Sequence, residues 1–373
     1  MTITATALPK SGEEDGTVKY AGIGPLELEA GGFLPDVVLA YETWGRLNAD
    51  ASNAVLIQHA LTGSTHVARG ATDEEGWWEQ LVGPGATIDT NKFFVISINI
   101  VGGCYGSTGP SSEAPDGRPW GSRFPLVTLR DSTEAESRLA DSLGIDSWHA
   151  VLGGSMGGAR ALEWAVTYPN RVKRCAVISV GAYSTAEQIA FAQAQTLAIR
   201  QDPNFNNGDY YGGTAPEHGL ALARRIAHIT YRSALELDFR FGRQAQHQET
   251  PLAAAVLGER GRYQVESYLD HQGTKLVRRF DANSYIAITE ALMSHDVTRG
   301  RGSLNTALSG ATAEFFVAAV DSDRLYFPAQ SQELAAALPG DVPVHVIEAP
   351  IGHDGFLTEI GQLSAQLREA FFA

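Results

Sequence analysis

Residues 148–158 read Trp-His-Ala-Val-Leu-Gly-Gly-Ser-Met-Gly-Gly, an apolar run that breaks into glycines around one serine, Ser155. The apolar run predicts a buried strand, and the Ala/Leu/Trp-rich residues after it predict a helix. The spacing Gly153-x-Ser155-x-Gly157 is typical of a strained turn that exposes a nucleophilic serine, because larger side chains at the glycine positions would collide there. Glycine-rich turns also occur without any chemistry, so the partners of Ser155 decide between the two interpretations.

The composition excludes several classes of protein. The chain has 373 residues with 28 basic and 43 acidic side chains, a formal net charge of −15. Nucleic acids and anionic membranes bind basic surfaces, so neither is an expected partner. The two cysteines, Cys104 and Cys175, indicate neither a disulfide framework nor a metal site. No stretch approaches a membrane span and the N-terminus lacks an export signal, which predicts a cytoplasmic protein.

The order of the predicted elements indicates the fold class. Strand and helix patterns alternate up to Val180, and helical patterns then dominate until strands resume at Glu314. Such alternation is the signature of a mostly parallel sheet flanked by helices. We therefore predict the α/β-hydrolase fold, with a core formed by residues 1–185 and 311–373 and a helical lid insertion at residues 186–310.

Two later strand ends supply the partners that a serine nucleophile requires. A serine hydroxyl needs a histidine to take its proton and a carboxylate to orient that histidine. Asp323 follows the apolar strand pattern of residues 314–320, and His353 follows that of residues 342–347. The chain order of serine, acid and histidine is that of the α/β hydrolases. Asp321 follows the same strand and is an alternative to Asp323 on the residues alone.

Three other histidines are weaker candidates for the general base. His345 lies inside a strand pattern and is expected to pack in the core. His295 lies in the insertion, away from any predicted sheet edge, and His59 ends a strand on the N-terminal side of the serine. His353 is therefore the expected base.

Acyl transfer also requires hydrogen-bond donors for the developing oxyanion. The backbone amide of Met156 directly follows the serine at the start of a helix, whose dipole has the required sign. A second amide is expected from the loop after the strand of residues 54–59, and we assign it to Leu61.

Further motifs occur in order along the chain, from about Pro25 to the C-terminus. They are Gln58-His59-Ala60-Leu61-Thr62-Gly63, Gly76-Trp77-Trp78, Val82-Gly83-Pro84-Gly85, Gly103-Cys104-Tyr105-Gly106-Ser107-Thr108-Gly109-Pro110, Ile229-Thr230-Tyr231-Arg232-Ser233, Arg279-Phe280-Asp281-Ala282-Asn283-Ser284-Tyr285, His295-Asp296-Val297 and Gly352-His353-Asp354-Gly355-Phe356. With the serine turn, they make the sequence closely similar to the homoserine O-acetyltransferases, a branch of the α/β hydrolases. So many ordered matches are far more specific than any single one.

The resemblance implies an enzyme that moves an acetyl group from acetyl-CoA to L-homoserine. It implies Ser155 as the nucleophile, His353 as general base and acid, and Asp323 as the orienting carboxylate. The residues after Asp323 fit the family's Asp-x-Leu-aromatic pattern, which favours Asp323 over Asp321. No permanently bound cofactor is implied, since acetyl-CoA is a co-substrate, and a homodimer through the lid helices is expected by resemblance.

The resemblance also assigns Arg224, Tyr231 and Asp354 to the amino-acid substrate. Arg224 would pair with the substrate carboxylate and Asp354 with its ammonium group. On a predicted helix Arg224 and Tyr231 are about two turns apart on one face, while the opposite, apolar face carries Leu222, Ile226 and Ile229. We expect the apolar face to be buried and the face with Arg224 to point at the ligand.

Other functions fit the same residues. A hydrolase of small esters would use the same triad with water in place of homoserine. A transferase that uses succinyl-CoA, or serine as acceptor, would differ only in its substrates, and a succinyl group would require an extra cation near the acyl pocket. A non-catalytic binding protein is expected to lack part of the triad, whereas all three residues are present.

Overall fold

The computed structural model describes residues 15–252 and 256–373, so the first 14 residues of the predicted core lie outside the described part. The strands are β1 (Lys19–Glu27), β2 (Phe33–Trp44), β3 (Ala54–Gln58), β4 (Val82–Gly83), β5 (Ile88–Asp89), β6 (Phe94–Ile98), β7 (Ala150–Gly154), β8 (Arg174–Ile178), β9 (Glu314–Val320) and β10 (Val344–Ile347). The α-helices are α1 (Leu129–Ser142), α2 (Met156–Thr167), α3 (Ala186–Arg200), α4 (Glu217–Tyr231), α5 (Ala234–Arg240), α6 (Gln264–Val277), α7 (Ala282–Met293), α8 (Leu304–Leu308), α9 (Pro328–Ala337), α10 (Gly355–Thr358) and α11 (Ile360–Phe371). None of the helices in these ranges is both long and apolar enough to span a bilayer.

An eight-stranded sheet organises the fold in the order β1-β2-β6-β3-β7-β8-β9-β10. From β6 to β10 the neighbouring strands are parallel, whereas β2 and β1 join antiparallel at one edge. Strands β4 and β5 form a separate parallel pair. The sheet is therefore mostly parallel, as the alternating sequence pattern predicts.

The central strands have apolar side chains on both faces because both faces are covered. Every residue of β3, β6 and β7 is buried. Leu56 packs into one core cluster with Leu139 of α1, whereas its neighbour Ile57 packs into a second cluster with Leu363 of α11. Successive strand residues point to opposite faces, so one continuous apolar run supplies two cores.

Helices occupy the segment between β8 and β9. Helices α3 to α8 begin at Ala186 and end at Leu308, close to the bounds that the sequence predicts for the insertion. Helix α4 packs against both α3 and α6. The carboxyl ends of the parallel strands carry the residues described below.

The prediction for the apolar face of α4 is wrong. Leu222 and Ile229 are 45% and 41% exposed. The buried side of the helix carries mainly small residues, among them Gly219, Ala223 and Ala227. A Cβ atom on Gly219 would lie 2.7 Å from the carbonyl oxygen of Ala198 in α3, so small side chains let the helices approach closely. Hydrophobic periodicity finds large apolar side chains and misses an interface made of small ones.

Candidate active site

Ser155 occupies the turn between β7 and α2. Its backbone angles are φ 57° and ψ −128°, a conformation that side-chain-bearing residues rarely adopt. The amide of Ser155 donates to the carbonyl oxygen of Ile178 at the end of β8, at 2.9 Å, which holds the strained turn in place. Strain of this kind clusters at functional positions, and here it lifts the hydroxyl to the carboxyl edge of the sheet.

A glycine brings the neighbouring strand end against the helix that follows Ser155. A Cβ atom on Gly157 would lie 2.1 Å from the carbonyl oxygen of Gln58 and 3.1 Å from that of His59. No side chain fits in that space. The loop after β3 therefore lies against the N-terminus of α2, where the sequence predicts the two oxyanion donors.

Those two donors are free to receive a ligand. Across residues 15–252 and 256–373, neither the Leu61 nor the Met156 amide donates a backbone hydrogen bond. Leu61 and Ser155 line the same cavity. Unpaired amides beside a nucleophile are what an oxyanion hole requires.

His353 and Asp323 meet across two strand ends, as the sequence predicts they should. The Nδ1 atom of His353 lies 2.6 Å from Oδ2 of Asp323, and both side chains are buried. The other oxygen of Asp323 accepts the amides of Leu325 and Tyr326 at 2.8 and 2.9 Å. A carboxylate can only accept, so Nδ1 carries the proton and Nε2 is left as the acceptor that a general base needs.

Asp321, the alternative carboxylate, points elsewhere. It is exposed, and its Oδ1 atom accepts the amide of Ala349 at 3.0 Å. It therefore joins the ends of β9 and β10 and makes no contact with His353.

His353 shares its surroundings with Ser155. The rings of Tyr231 and Tyr326 lie 5.9 and 5.5 Å from the imidazole, and both tyrosines line the cavity that contains Ser155. Nε2 of His353 is buried and has no hydrogen-bond partner among the described residues, so it makes no hydrogen bond to the serine here. Catalytic hydrogen bonds are often long before substrate binds and tighten in the complex.

Another glycine sets His353 against the end of α4. A Cβ atom on Gly352, whose φ is +96°, would lie 2.7 Å from the carbonyl oxygen of Tyr231. The amide of Ser233 donates to the carbonyl oxygen of Ile351 at 3.1 Å. The loop that carries His353 and the helix that carries Tyr231 are thus fixed to each other.

The pKa of His353 is raised above its ordinary value. Burial opposes the charged imidazolium, but the charge of Asp323, its hydrogen bond and the charge of Asp354 outweigh burial. The group therefore holds a proton more readily than a free histidine would.

We expect the catalytic efficiency toward a chromogenic acetyl ester to fall as pH decreases through a pKa above the ordinary 6.5. A general base must be neutral to take a proton, so a raised pKa of His353 moves the acid limb of the pH–rate profile to higher pH. Asp354→Asn should move that limb to lower pH, because it removes a charge that stabilises the imidazolium. Asp321→Asn is the matched control. An acid limb that stays fixed in Asp354→Asn, or that moves equally in Asp321→Asn, would contradict this assignment.

The substrate residues implied by the sequence lie on two elements beside the triad. The Arg224 guanidinium lies 5.5 Å from the ring of Tyr231, and its Nη1 atom lies 3.4 Å from Oγ1 of Thr62. Its Nε atom is buried without a hydrogen-bond partner among the described residues. Tyr231 lines the cavity that contains Ser155, whereas Arg224 lies against the Tyr231 ring and is not among the lining residues.

Asp354 has a partner that sequence reasoning missed. Its Oδ2 atom lies 3.5 Å from Nη2 of Arg232, which also pairs with Glu236. The available signal was the position of Arg232 directly after Tyr231 in a conspicuous motif. Any further cation at Asp354 would therefore share its carboxylate with this arginine.

A cavity of about 520 Å³, including space open to solvent, lies beside Ser155. Helices α3 and α7 form much of its wall. It is lined by Leu61, Ser155, Ser184, Gln188, Phe191, Ala192, Gln195, Thr230, Tyr231, Thr289, Leu292, Met293, Leu325 and Tyr326. This lining is largely apolar and contains no lysine or arginine.

The three weaker candidates for the general base have contacts that are structural. Burial and the charge of Arg160 lower the pKa of His59 to about 3, and its ring bonds the backbone of its own loop and of Ile100. His295 is buried against the carbonyl oxygen of Gly181. His345 stacks on Phe316 with ring centres 4.3 Å apart.

Comparisons with known proteins agree with this geometry. Residues 53–360 match the family described as alpha/beta hydrolase fold, which defines the class of the protein as an α/β hydrolase. A homoserine O-acetyltransferase of Thermobifida fusca (strain YX) is 54% identical over 98% of this chain and 97% of its own length. The chain therefore belongs to the homoserine O-acetyltransferase family.

Solved structures share the fold over nearly the whole chain. The X-ray structure of homoserine O-acetyltransferase from Bacillus anthracis has a TM-score of 0.86 and 28% identity, and covers 95% of this chain and 98% of that one. The crystal structure of esterase E22 has a TM-score of 0.86 and 27% identity, with 95% and 99% covered. One architecture thus serves proteins named as a transferase and as an esterase.

Proposed function

We propose that this enzyme transfers an acetyl group from acetyl-CoA to the side-chain hydroxyl of L-homoserine through an acyl-serine intermediate. The observation that carries the proposal is the cavity at Ser155 beside the His353–Asp323 pair, in a chain 54% identical to a homoserine O-acetyltransferase. No permanently bound cofactor takes part, and acetyl-CoA is a co-substrate.

In the first step Ser155 Oγ attacks the thioester carbonyl carbon while His353 Nε2 takes the hydroxyl proton. The amides of Leu61 and Met156 stabilise the oxyanion. The carbon–sulfur bond then breaks, and the proton passes from Nε2 to the sulfur of the departing CoA. Asp323 keeps the imidazole in the required tautomer and stabilises its charged form.

In the second step the homoserine hydroxyl attacks the acyl-serine and loses its proton to His353. The bond to Ser155 Oγ breaks and the serine recovers that proton. Arg224 pairs with the substrate carboxylate, because its planar guanidinium suits two oxygens. Asp354 holds the ammonium group beside Arg232, and Tyr231 packs between the substrate and His353.

The cavity lining supports acetyl over succinyl as the acyl group. A succinyl group carries a carboxylate, and a buried carboxylate is costly without a cation. The side chains that line the cavity at Ser155 include apolar Leu61, Phe191, Leu292 and Met293 and no basic residue, and Arg224, which lies against Tyr231 outside this lining, is assigned to the acceptor carboxylate. A neutral acetyl group fits these surroundings.

We also propose that residues 186–310 form a lid on a core of residues 1–185 and 311–373. Helices α3 and α7 of this segment wall the cavity, which supports a role in excluding water and orienting the alcohol. An enzyme that consumes acetyl-CoA works where CoA thioesters are made, so the proposal places it in the cytoplasm. Both cysteines are free, in accord with a reducing compartment.

The same helices support a homodimer. Exposed apolar side chains lie on α3 to α5, including Leu222, Ile229, Leu235 at 77% exposed and Phe239 at 93% exposed. A monomer rarely leaves so many large apolar side chains in water. A second copy that covers them would also account for the exposed face of α4. Sedimentation equilibrium of the wild type should give twice the monomer mass.

The wild-type enzyme given both substrates should release CoA and form O-acetyl-homoserine. A small-ester hydrolase would release CoA at a rate that homoserine does not change and would form acetate.

Arg224→Lys keeps the charge but removes the fork, so the KM for homoserine should rise about tenfold or more. Acylation by acetyl-CoA alone should be unchanged in this variant. If acylation falls equally, Arg224 does not act on the acceptor.

A further inference from the structure

We propose that Lys275, Arg278 and Arg279, at the C-terminal end of α6, bind the phosphate groups of the acyl-CoA donor. We call these three residues the phosphate anchor. The proposal rests on the proposed function, since it concerns how that function holds its donor. It assigns a binding site outside the cavity for the anionic end of the thioester.

The anchor is a concentration of unpaired positive charge in an acidic protein. The chain carries a net charge of −15, yet Lys275, Arg278 and Arg279 lie within five residues, all exposed. The acids at the other end of α6 are already paired, Glu266 with Arg260 and Asp270 with Arg225 and Arg262. None of the three anchor cations forms an ion pair within residues 15–252 and 256–373.

The nearest acid in sequence does not neutralise them. Asp281 caps α7, and its carboxylate accepts the amide of Ser284 at 2.7 Å. It also accepts the hydroxyls of Tyr210 and Tyr211 at 2.6 and 3.0 Å. Its oxygens are therefore engaged by neutral donors, and Arg279 remains available to a ligand.

Arg279 connects the phosphate anchor to the loop after β3, which carries Leu61. Its Nη1 atom donates to the carbonyl oxygen of Thr62 at 2.9 Å and to the hydroxyl of Tyr105. Thr62 follows Leu61, the proposed oxyanion donor. Leu61 is buried and lines the cavity, Thr62 is half-buried and Arg279 is exposed, so these contacts connect the cavity lining to the protein surface.

The structure of acetyl-CoA requires that positive charge for its phosphates lies at a distance from Ser155. Its thioester must reach Ser155, whereas the pantetheine arm keeps its phosphates well away from the reacting carbon. The cavity at Ser155 has no basic residue in its lining, so the phosphates must be bound outside it. Thr62 contacts half-buried Arg224 through its hydroxyl and exposed Arg279 through its carbonyl oxygen, and we assign Arg224 to the acceptor carboxylate and Arg279 to the donor.

A plainer interpretation is that basic residues at the C-terminus of α6 only interact with the helix dipole. That interpretation expects a change in thermal stability and none in substrate affinity. The two interpretations therefore differ in a kinetic measurement.

The test is the double variant Lys275→Gln/Arg278→Gln. It keeps Arg279, because that side chain contacts Thr62 in the loop that carries Leu61. We expect the KM for acetyl-CoA to rise about tenfold with kcat unchanged, since two exposed charge contacts to phosphate are lost. Acetyl-pantetheine, which carries the thioester without phosphates, should be used equally well by variant and wild type. The wild-type KM for acetyl-CoA should also rise with salt more than that of the variant.

A matched control is Arg46→Gln/Lys92→Gln. Both residues are exposed cations at the opposite edge of the sheet, where β2 ends and β6 begins. This control should leave every constant unchanged. The anchor is wrong if the test variant and the wild type have the same KM for acetyl-CoA, or if the KM for acetyl-pantetheine rises as much as that for acetyl-CoA. It is also wrong if the KM for homoserine rises instead, or if the control variant shows the same rise in the KM for acetyl-CoA. Absence of transfer from acetyl-CoA in the wild type would instead overturn the proposed function, and the anchor with it.

Discussion

Ser155→Ala should lose acyl transfer almost completely, by roughly the 10⁶-fold that removal of a serine nucleophile costs in a protease triad. After incubation with acetyl-CoA alone, the wild type should gain the mass of one acetyl group and the variant should gain none. The physical reason is that Ser155 combines the strained turn with a place in the cavity, whose lining residues Tyr231 and Tyr326 contact His353. The fold should survive, because alanine retains the backbone hydrogen bond to Ile178.

Ser184→Ala is the matched control for that experiment. Ser184 lines the same cavity, but its hydroxyl already donates to the carbonyl oxygen of Leu292 at 2.8 Å. The control should still acquire one acetyl group at Ser155. If Ser155→Ala is acetylated, or if Ser184→Ala is not, the nucleophile has been assigned to the wrong serine.

Glu136→Leu should destabilise the protein by about 3–5 kcal/mol, the usual cost of removing one partner from a buried ion pair. Glu136 and Arg160 are 1% and 0% exposed and form a salt bridge beneath the active site. The same carboxylate accepts Nε2 of Gln58 at 2.6 Å and Nε1 of Trp164 at 2.7 Å. The substitution leaves a charge and two further donors buried without a partner.

Urea unfolding monitored by tryptophan fluorescence measures this loss. The double variant Glu136→Leu/Arg160→Met should lose clearly less free energy of unfolding than the sum of the losses in the two single variants, because it buries no unpaired charge. Asp116→Leu is the surface control. Asp116 pairs with exposed Arg118 and Arg123, and its loss should cost under about 1 kcal/mol. A Glu136→Leu variant as stable as the surface control would show that the buried pair does not stabilise the fold.

The pair also ties together the two elements that form the site. Arg160 lies in α2, which begins directly after Ser155, and Gln58 ends the strand that leads into the Leu61 loop. Arg160 also donates to the carbonyl oxygen of Ile98 at 3.2 Å. The network therefore links β3, β6, α1 and α2 directly below the site.

Local patterns in the chain were enough to predict the mostly parallel sheet, the serine turn and an acidic residue after β9 as the partner of His353, whereas the choice of Asp323 over Asp321 rested on the family resemblance. They suffice because a strand covered on both faces needs an unbroken apolar run, and parallel strands bring their carboxyl ends to one edge. Residues that follow such runs therefore lie along one edge of the sheet, however far apart they are in sequence, and the direction of each side chain decides which of them touch. The turn at Ser155 is equally local, since its glycines are required by the crossing of one strand and one helix.

Tertiary structure alone decided which side of α4 is buried, what Asp354 pairs with and which cation contacts the loop that carries Leu61. Leu222 and Ile229 are exposed because small residues, rather than large apolar ones, form the close contact with the neighbouring helix. Arg232, Arg279 and the buried Glu136 acquire their roles from partners on distant elements. A charged side chain carries no periodic signal for its partner, because an ion pair depends on where two elements pack and not on the residues beside it in sequence.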